Sequence, residues 1–379
     1  MFDALDHQYM ARALQLAARG LYTTQPNPRV GCVLVRNKRV VAEGWHEYAG
    51  GPHAEIMALK KAGIDAEGAT AYVTLEPCSH QGKTPPCVDA LIAHRLARVV
   101  VAMQDPNPLV DGDGMQRLRE AGVRVDAGLM ASQAAALNPG FIKRMQAQRP
   151  FIRLKQGISL DGGTALANGM SQWISGENSR IDVHRLRARS SAILTGVDTV
   201  LSDNPAMTIR LESLAVLGEL EAESSSRIKQ PLRIIIDSNL RTPPDARVLK
   251  LPGDVLIVTV SDDPARGAVL TSDHVEVVRL PADERGKPDL HDLMSILAAG
   301  QVNELLVECG GRLAGALLAR RLVDEIVLYV APCLLGSSAR GLFDIEPLQD
   351  MRERIELDIQ EIRPIDRDIR IIARPVYKD

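Results

Sequence analysis

The chain has 379 residues, 45% of them hydrophobic, more than one ordinary core accommodates, so two domains are predicted. Aromatic residues make up 3% and the formal net charge is −3, which leaves neither stacking platforms nor a cationic excess for nucleic acid. Five cysteines without framework spacing suit a reducing cytoplasm, the start carries no secretory pattern, and no stretch reaches the length of a membrane span.

Residues 9–19 predict a helix, and 30–35 with 39–45 a strand pair across a turn at Asn37-Lys38. Between them, the prolines of Pro26-Asn27-Pro28 hold the backbone extended; taken alone this is a turn. His53-Ala54-Glu55 opens a helical run, 56–63, that stops at Gly63. A strand at 71–75 delivers Glu76-Pro77-Cys78, and Pro86-Cys87 opens a second helix, to His94.

One His, one Glu and two Cys in that order form the signature of a zinc hydrolytic deaminase. His53, Cys78 and Cys87 are the candidate ligands, leaving a fourth position to water. Two thiolates acidify that water less than three histidines would, so a base is needed. Glu55 is the candidate for that base and for the proton shuttle. A structural zinc knuckle is the alternative; it would carry four ligands in paired short spacings. Eight residues separate Cys78 from Cys87, where the usual signature has two. The insert carries His80 and Lys83 and has the character of a substrate-contacting loop, or else of a long surface turn.

A strand at 97–103, a helix at 115–121 and a strand at 123–127 complete a predicted three-layer α/β domain, with mostly parallel pairing. A polar segment ending at Pro150 marks a boundary, giving domains 1–147 and 148–379. The second is again α/β. Its strands are predicted at 151–155, 192–196, 233–237, 255–260, 275–280, 304–308 and 325–330, and its helices at 178–189 and 290–299. The stretch 211–230 is expected to be a surface insertion. Cys32, Cys309 and Cys333 are expected as small buried hydrophobes. No Gly-x-Gly-x-x-Gly fingerprint occurs. The best anion-binding candidate is the glycine loop after Glu308, which follows a strand and opens a helix; a tight turn without ligand is the alternative.

The run from Pro77 to Cys87 resembles the bifunctional riboflavin-biosynthesis family. That family joins a diaminohydroxyphosphoribosylaminopyrimidine deaminase to a 5-amino-6-(5-phosphoribosylamino)uracil reductase. The resemblance extends to Pro26-Asn27-Pro28-Arg29-Val30-Gly31 and Gln104-Asp105-Pro106-Asn107-Pro108. It continues through Lys155-x-Gly157, Ser171-Gln172-Trp173-Ile174, Asp203-Asn204-Pro205-Ala206-Met207-Thr208 and Ile236-Asp237-Ser238. It implies a cytidine-deaminase-like three-layer domain followed by a dihydrofolate-reductase-like α/β domain that uses NADPH.

By this resemblance Asn27, His46, His80 and Lys83 surround the deaminase substrate. Gly157, Trp173, Thr199, Asp203, Ser238 and the loop Gly310, Gly311, Arg312, Leu313, Ala314, Gly315 and Ala316 contact NADPH. Ser171, Arg187, Met207, Arg210 and Glu308 contact the reductase substrate. An arginine fork suits a ribose phosphate. The loop keeps the double glycine common in the family but adds a cation at Arg312, and Asn204 stands where an acid is common.

The reaction expected first is zinc-dependent hydrolytic deamination of 2,5-diamino-6-(5-phosphoribosylamino)pyrimidin-4-one. NADPH-dependent reduction of the ribosyl group to ribityl follows. One Zn2+ per deaminase site and NADPH are the expected cofactors, small phosphoribosyl pyrimidines the partners, and nucleic acid and membrane are not. A homo-oligomer through the reductase half is implied. The alternatives are a nucleic-acid-editing zinc deaminase with a C-terminal binding module, and an active deaminase with a non-catalytic C-terminal domain.

Overall fold

The computed structural model describes residues 2–80, 85–108, 110–218 and 225–377. They fall into two compact units, Met1–Arg149 and Pro150–Asp379. Among the described residues no helix is long and apolar enough to cross a membrane.

The first unit runs α1 (Ala4–Ala18), β1 (Gly31–Arg36), β2 (Arg39–Trp45), α2 (Ala54–Ala62), β3 (Thr70–Val73), α3 (Cys87–Ala93) and β4 (Arg98–Val101). It ends with α4 (Asp113–Glu120), β5 (Arg124–Ala127), α5 (Ala131–Leu137) and α6 (Pro139–Ala147). Helix α1 starts before the predicted residue 9 because Asp3 and Asp6 form a reciprocal capping box at 2.8 and 3.1 Å. The sheet order is β2-β1-β3-β4-β5. Pairing is mixed rather than mostly parallel: β1 is antiparallel to both β2 and β3, and only β3-β4-β5 are parallel. The cause at one edge is local. Asn37 and Lys38 both hold left-handed φ, 51° and 61°, which closes β1 and β2 into a tight hairpin.

Strand alternation then makes three layers. Cys32, Leu34, Val73, Val99 and Val101 pack toward α2 and α3, while Val33, Val35, Tyr72 and Val100 pack toward α1. Gly44 lets α2 lie directly on β2, since a Cβ there would collide with the carbonyl oxygen of Ala54.

The second unit begins with β6 (Phe151–Ser159), β7 (Gly163–Ala165), α7 (Glu177–Arg189), β8 (Ala192–Gly196), α8 (Val197–Asp203) and α9 (Leu211–Val216). It continues with β9 (Leu232–Ile236), α10 (Arg247–Lys250), β10 (Val255–Thr259), α11 (Pro264–Leu270), β11 (Val275–Arg279), α12 (Leu290–Ala299) and β12 (Glu304–Val307). Last come α13 (Gly311–Ala319), β13 (Glu325–Ala331), β14 (Arg340–Gly341), β15 (Glu356–Ile365) and β16 (Asp368–Val376). The main sheet has the order β11-β10-β9-β8-β12-β6-β13-β16-β15. It is parallel from β11 to β13, and β16 and β15 add an antiparallel edge. That hairpin has no counterpart among the predicted strands. Of the stretch 211–230, residues 219–224 lie outside the described residues; the rest is not a plain insertion, since it opens with α9, which buries Leu214, and Gln230 hydrogen-bonds to Ile209.

Charge is also buried in this unit. Arg153, 2% exposed, lies 3.0 Å from Glu304 and pairs with Glu325. Asp182 on α7 accepts from the Tyr329 hydroxyl and from Arg370, both at 2.7 Å. Asp368 accepts from the Gly176 amide at 2.7 Å and from Ser179 at 2.6 Å, so α7 is bound along its length to the C-terminal hairpin. Replacing Arg153 by Met would strip Glu325 and the buried Glu304 of the cation they share, leaving Glu304 its 3.2 Å contact with Arg189. The expected loss is ~3–5 kcal/mol, seen as a lower urea midpoint for unfolding; an unchanged midpoint would show that the triad adds nothing to stability.

Candidate active sites

In the first unit three elements converge. His53 is the N-cap of α2, Cys87 is the first residue of α3, and Cys78 follows β3. Their ligand atoms lie within 4.8 Å of one another. His53 Nδ1 is 3.2 Å from the Cys87 sulfur and 3.5 Å from that of Cys78, and the Cys87 amide donates to the Cys78 sulfur at 3.3 Å. Hydrogen bonding from Cys87, with help from His53, brings Cys78 down to about 4 against the effect of burial. The contact with Cys78 lifts His53 to about 9, and the same sulfur together with burial pushes Cys87 up. One thiolate is therefore already favoured, and the protons on His53 and Cys87 are those a metal would displace. Two sulfurs and one nitrogen at this spacing fit zinc.

Glu55 stands in the first turn of α2, 3% exposed, and burial pushes it up to about 7, within reach of giving and taking a proton near neutrality. Asn27 and His46 are brought together: the Asn27 amide donates to His46 Nε2 at 3.1 Å, while His46 Nδ1 donates to the Pro52 carbonyl at 3.0 Å. Burial lowers the His46 pKa and keeps the ring neutral, so it is fixed as the acceptor that orients Asn27. His80 is exposed, and Lys83 lies outside the described residues. Glu76 was not singled out in the sequence. Its buried carboxylate accepts from the amides of Asp105 (3.2 Å), Gly112 (3.1 Å) and Met115 (3.1 Å), holding the loop after β4 against the Cys78 turn.

The second unit contains a cavity of about 2710 Å³. Its lining includes Gly157, Ser171, Trp173, Arg187, Thr199, Asp203, Met207, Arg210, Ser238, Glu308, Gly310, Gly311, Arg312, Leu313, Gly315 and Ala316. Ala314 is the exception, with its side chain fully buried in the core. Arg187 grips Glu308 with two bonds, 2.7 and 3.0 Å. Burial alone would raise Glu308, but the Arg187 charge and its hydrogen bonds override it and hold the carboxylate at about 2. Lys155 and His184 line the same cavity and were missed. Charged residues at 153 and 155 within an otherwise apolar strand were the available signal for Lys155; His184, in a polar helix, offered none.

The glycine loop is shaped in part by packing within its own unit. Gly310 faces open space, but a Cβ at Gly315 would strike the Asp344 carbonyl and one at Gly311 would crowd the Gly341 carbonyl. Two of the three glycines thus let the 341–344 strap lie on α13, while the helix N-terminus stays open to the cavity. Arg312 is 85% exposed and 3.8 Å from Asp198, which also pairs with Arg241 at 2.6 Å. Asn204 takes a left-handed φ of 43°, and its side chain accepts from the Arg247 amide at 2.7 Å.

Residues 3–103 match the cytidine and deoxycytidylate deaminase zinc-binding region, and residues 150–371 match the RibD C-terminal domain. The chain is therefore a zinc deaminase domain followed by a reductase domain. The riboflavin biosynthesis protein RibD of Escherichia coli (strain K12) is 49% identical, over 96% of this chain and 98% of its own length. The protein of the same name from Haemophilus influenzae is 43% identical, over 99% and 98%. Among solved structures, Acinetobacter baumannii RibD (form 1) has a TM-score of 0.89 at 40% identity, covering 98% of this chain and 99% of that one. The Thermotoga maritima diaminohydroxyphosphoribosylaminopyrimidine deaminase/5-amino-6-(5-phosphoribosylamino)uracil reductase has a TM-score of 0.85 at 31% identity, with the same coverage. The chain belongs to the RibD family: a bifunctional riboflavin-biosynthesis enzyme with a zinc-dependent deaminase and an NADPH-dependent reductase.

Because Gly315 is packed against backbone, Gly315→Ala should displace either α13 or the strap. Titration with NADPH is expected to show a loss of affinity while ammonia release stays at the wild-type rate. Unchanged affinity would mean that the strap yields without cost to the cavity.

Proposed function

We propose that His53, Cys78 and Cys87 hold the zinc and that Glu55 is the catalytic acid–base of the deaminase. The observation that carries this is three ligand atoms within 4.8 Å of one another beside a buried carboxylate. Bound there, zinc supplies an attacking water of lowered pKa. Glu55 takes the water's first proton and passes it to the ring nitrogen, then takes the second from the hydroxyl newly bonded to the ring carbon and passes it to the amino group, which leaves as ammonia as the carbonyl forms. With its amide committed to His46, Asn27 offers its carboxamide oxygen to a ring N–H or amino group. His80 and Lys83, which follow Cys78 in the sequence, are assigned to the ribose phosphate.

In the reductase, the cavity residues named above bind the cofactor and the deaminated product. Bound NADPH supplies the hydride that C1′ accepts. The open N-terminus of α13 receives a cofactor phosphate. Arg187 and Arg210 take the substrate, Glu308 holds Arg187 in place, and orientation contributes much of the rate. Lys155, whose pKa burial lowers, provides the proton that the ring oxygen gains as its bond to C1′ opens.

Ammonia release and NADPH consumption, followed separately, test the division of labour. Glu55→Gln should slow deamination by ~10²–10⁴-fold, keep its zinc, and still oxidise NADPH on supplied deaminated product. Arg187→Ala should show the reverse. Equal loss of both activities in either variant would contradict two separate sites.

The partners we propose are small molecules, not nucleic acid, together with a second copy of this chain. The edge strand β15 exposes Leu357 (44%), Ile359 (55%) and Ile362 (62%), an apolar edge of the kind a partner strand covers. Light scattering should report a dimer or larger for the wild type and a monomer for Ile359→Lys; an assembly unaffected by the substitution would place the interface elsewhere. The five unpaired cysteines support a cytoplasmic setting.

A further inference from the structure

The backbone of residues 208–210 is held at three consecutive positions by side chains from elsewhere. Arg187 donates to the Thr208 carbonyl at 2.9 Å. Gln230 brackets Ile209, accepting from its amide at 2.8 Å and donating to its carbonyl at 3.1 Å. His184 Nδ1 accepts from the Arg210 amide at 3.1 Å. Accepting an N–H requires an unprotonated Nδ1, so the imidazole proton sits on Nε2. Burial, with the charges of Arg187 and Arg210 beside it, pushes His184 down to about 4 and keeps that tautomer neutral. His184 and Arg187 are three residues apart on α7 and so share one face. What this clamp presents is Arg210, exposed at the cavity wall, whose guanidinium has no hydrogen bond or ion pair among the described residues. A guanidinium left free on a rigidly held backbone is prepared for an anion.

We propose that His184 is a positioning residue that sets Arg210 to receive the phosphate of the reductase substrate, and so tunes the enzyme toward phosphorylated substrate. This rests on the assignment of the cavity to the reductase reaction. Without the ring, the Arg210 amide loses its acceptor and the residue its fixed place, while the cofactor half of the cavity keeps its contacts.

The test uses the full-length protein, NADPH, and 5-amino-6-(5-phosphoribosylamino)uracil beside its dephosphorylated form. His184→Leu should raise KM for the phosphorylated substrate about tenfold, as the Arg210 guanidinium loses its fixed place for the phosphate. It should leave the KM for NADPH, turnover of the dephosphorylated substrate and ammonia release as in the wild type. His184→Asn, whose side-chain oxygen can stand where Nδ1 stood, should recover most of the loss. Equal impairment on both substrates, or an Asn variant as poor as the Leu variant, would overturn the proposal. Arg210→Ala separates the two levels of the argument. If it leaves the preference for phosphorylated substrate intact, Arg210 is not the phosphate ligand and this proposal falls while the reductase assignment stands. If the wild type oxidises no NADPH on either substrate, the reductase assignment falls and takes the proposal with it.

Discussion

A carboxylate taken out of water survives as an anion only where a cation and hydrogen-bond donors replace the lost solvation, and Glu308 is such a group. Its partner, Arg187, stands on α7, whereas Glu308 follows β12 at the start of the glycine loop. The pair therefore joins a helix on one face of the sheet to the turn that opens α13. With both nitrogens of one guanidinium edge spent on Glu308, the remaining one reaches the Thr208 carbonyl. One ion pair thus fixes the distance between the residues assigned to substrate and the loop assigned to cofactor. Breaking it would leave a buried charge on either side.

The deaminase unit meets the same constraint with different chemistry. Its anion is the Cys78 thiolate, and the stabilising donors come from the chain around it. The Cys87 amide, at the start of α3, points to the Cys78 sulfur, and the His53 ring lies against both sulfurs. Nearby, Glu55 has no cation of comparable strength and its pKa rises. Two buried carboxylates in one chain are thus driven in opposite directions. Glu308 is locked as an anion and serves as an anchor, while Glu55 is left near neutrality, as a proton shuttle needs.

The cluster of His53, Cys78 and Cys87 was largely legible because its geometry is local. His53 and Glu55 share a helix turn, and each cysteine sits where a strand ends or a helix begins, which glycine, proline and apolar runs announce. Strands flanked by turn residues were also legible, such as Ala192–Gly196 and Arg39–Trp45. The reductase contacts were named only through family resemblance, since no spacing in the sequence brings residues 187, 210 and 308 together. The β1–β2 hairpin was legible at its Asn37-Lys38 turn; that β1 also runs antiparallel to β3 was not, since no local spacing sets the order β2-β1-β3. The hairpin β15–β16 was missed although Leu357-Asp358-Ile359 and Ile369-Arg370-Ile371 alternate, because a bulge between Ile359 and Glu361 shifts the pattern partway along β15. His184 was invisible for a related reason: its role is to accept one amide from a loop far along the chain.

That hairpin is more than a border. Arg370 on β16 bonds Asp182 on α7 and Glu361 on the edge strand, and Asp368 secures the start of α7 through Gly176 and Ser179. Helix α7 is therefore fastened at its first turn and its middle to the edge of the sheet, and at its last turn to Glu308. A helix carrying His184 and Arg187 on one face cannot shift without breaking buried charge contacts along its length. Preorganisation of this kind suits a site where orientation carries much of the rate, because freedom removed in folding need not be removed again when substrate binds. It also means that the edge strand proposed to meet a second copy of the chain is two side chains from the helix that holds Arg187, the arginine assigned to substrate: Glu361 bonds Arg370, and Arg370 bonds Asp182. Covering that strand, as proposed, would bury Glu361 and strengthen its hold on Arg370, and through Arg370 the hold on α7.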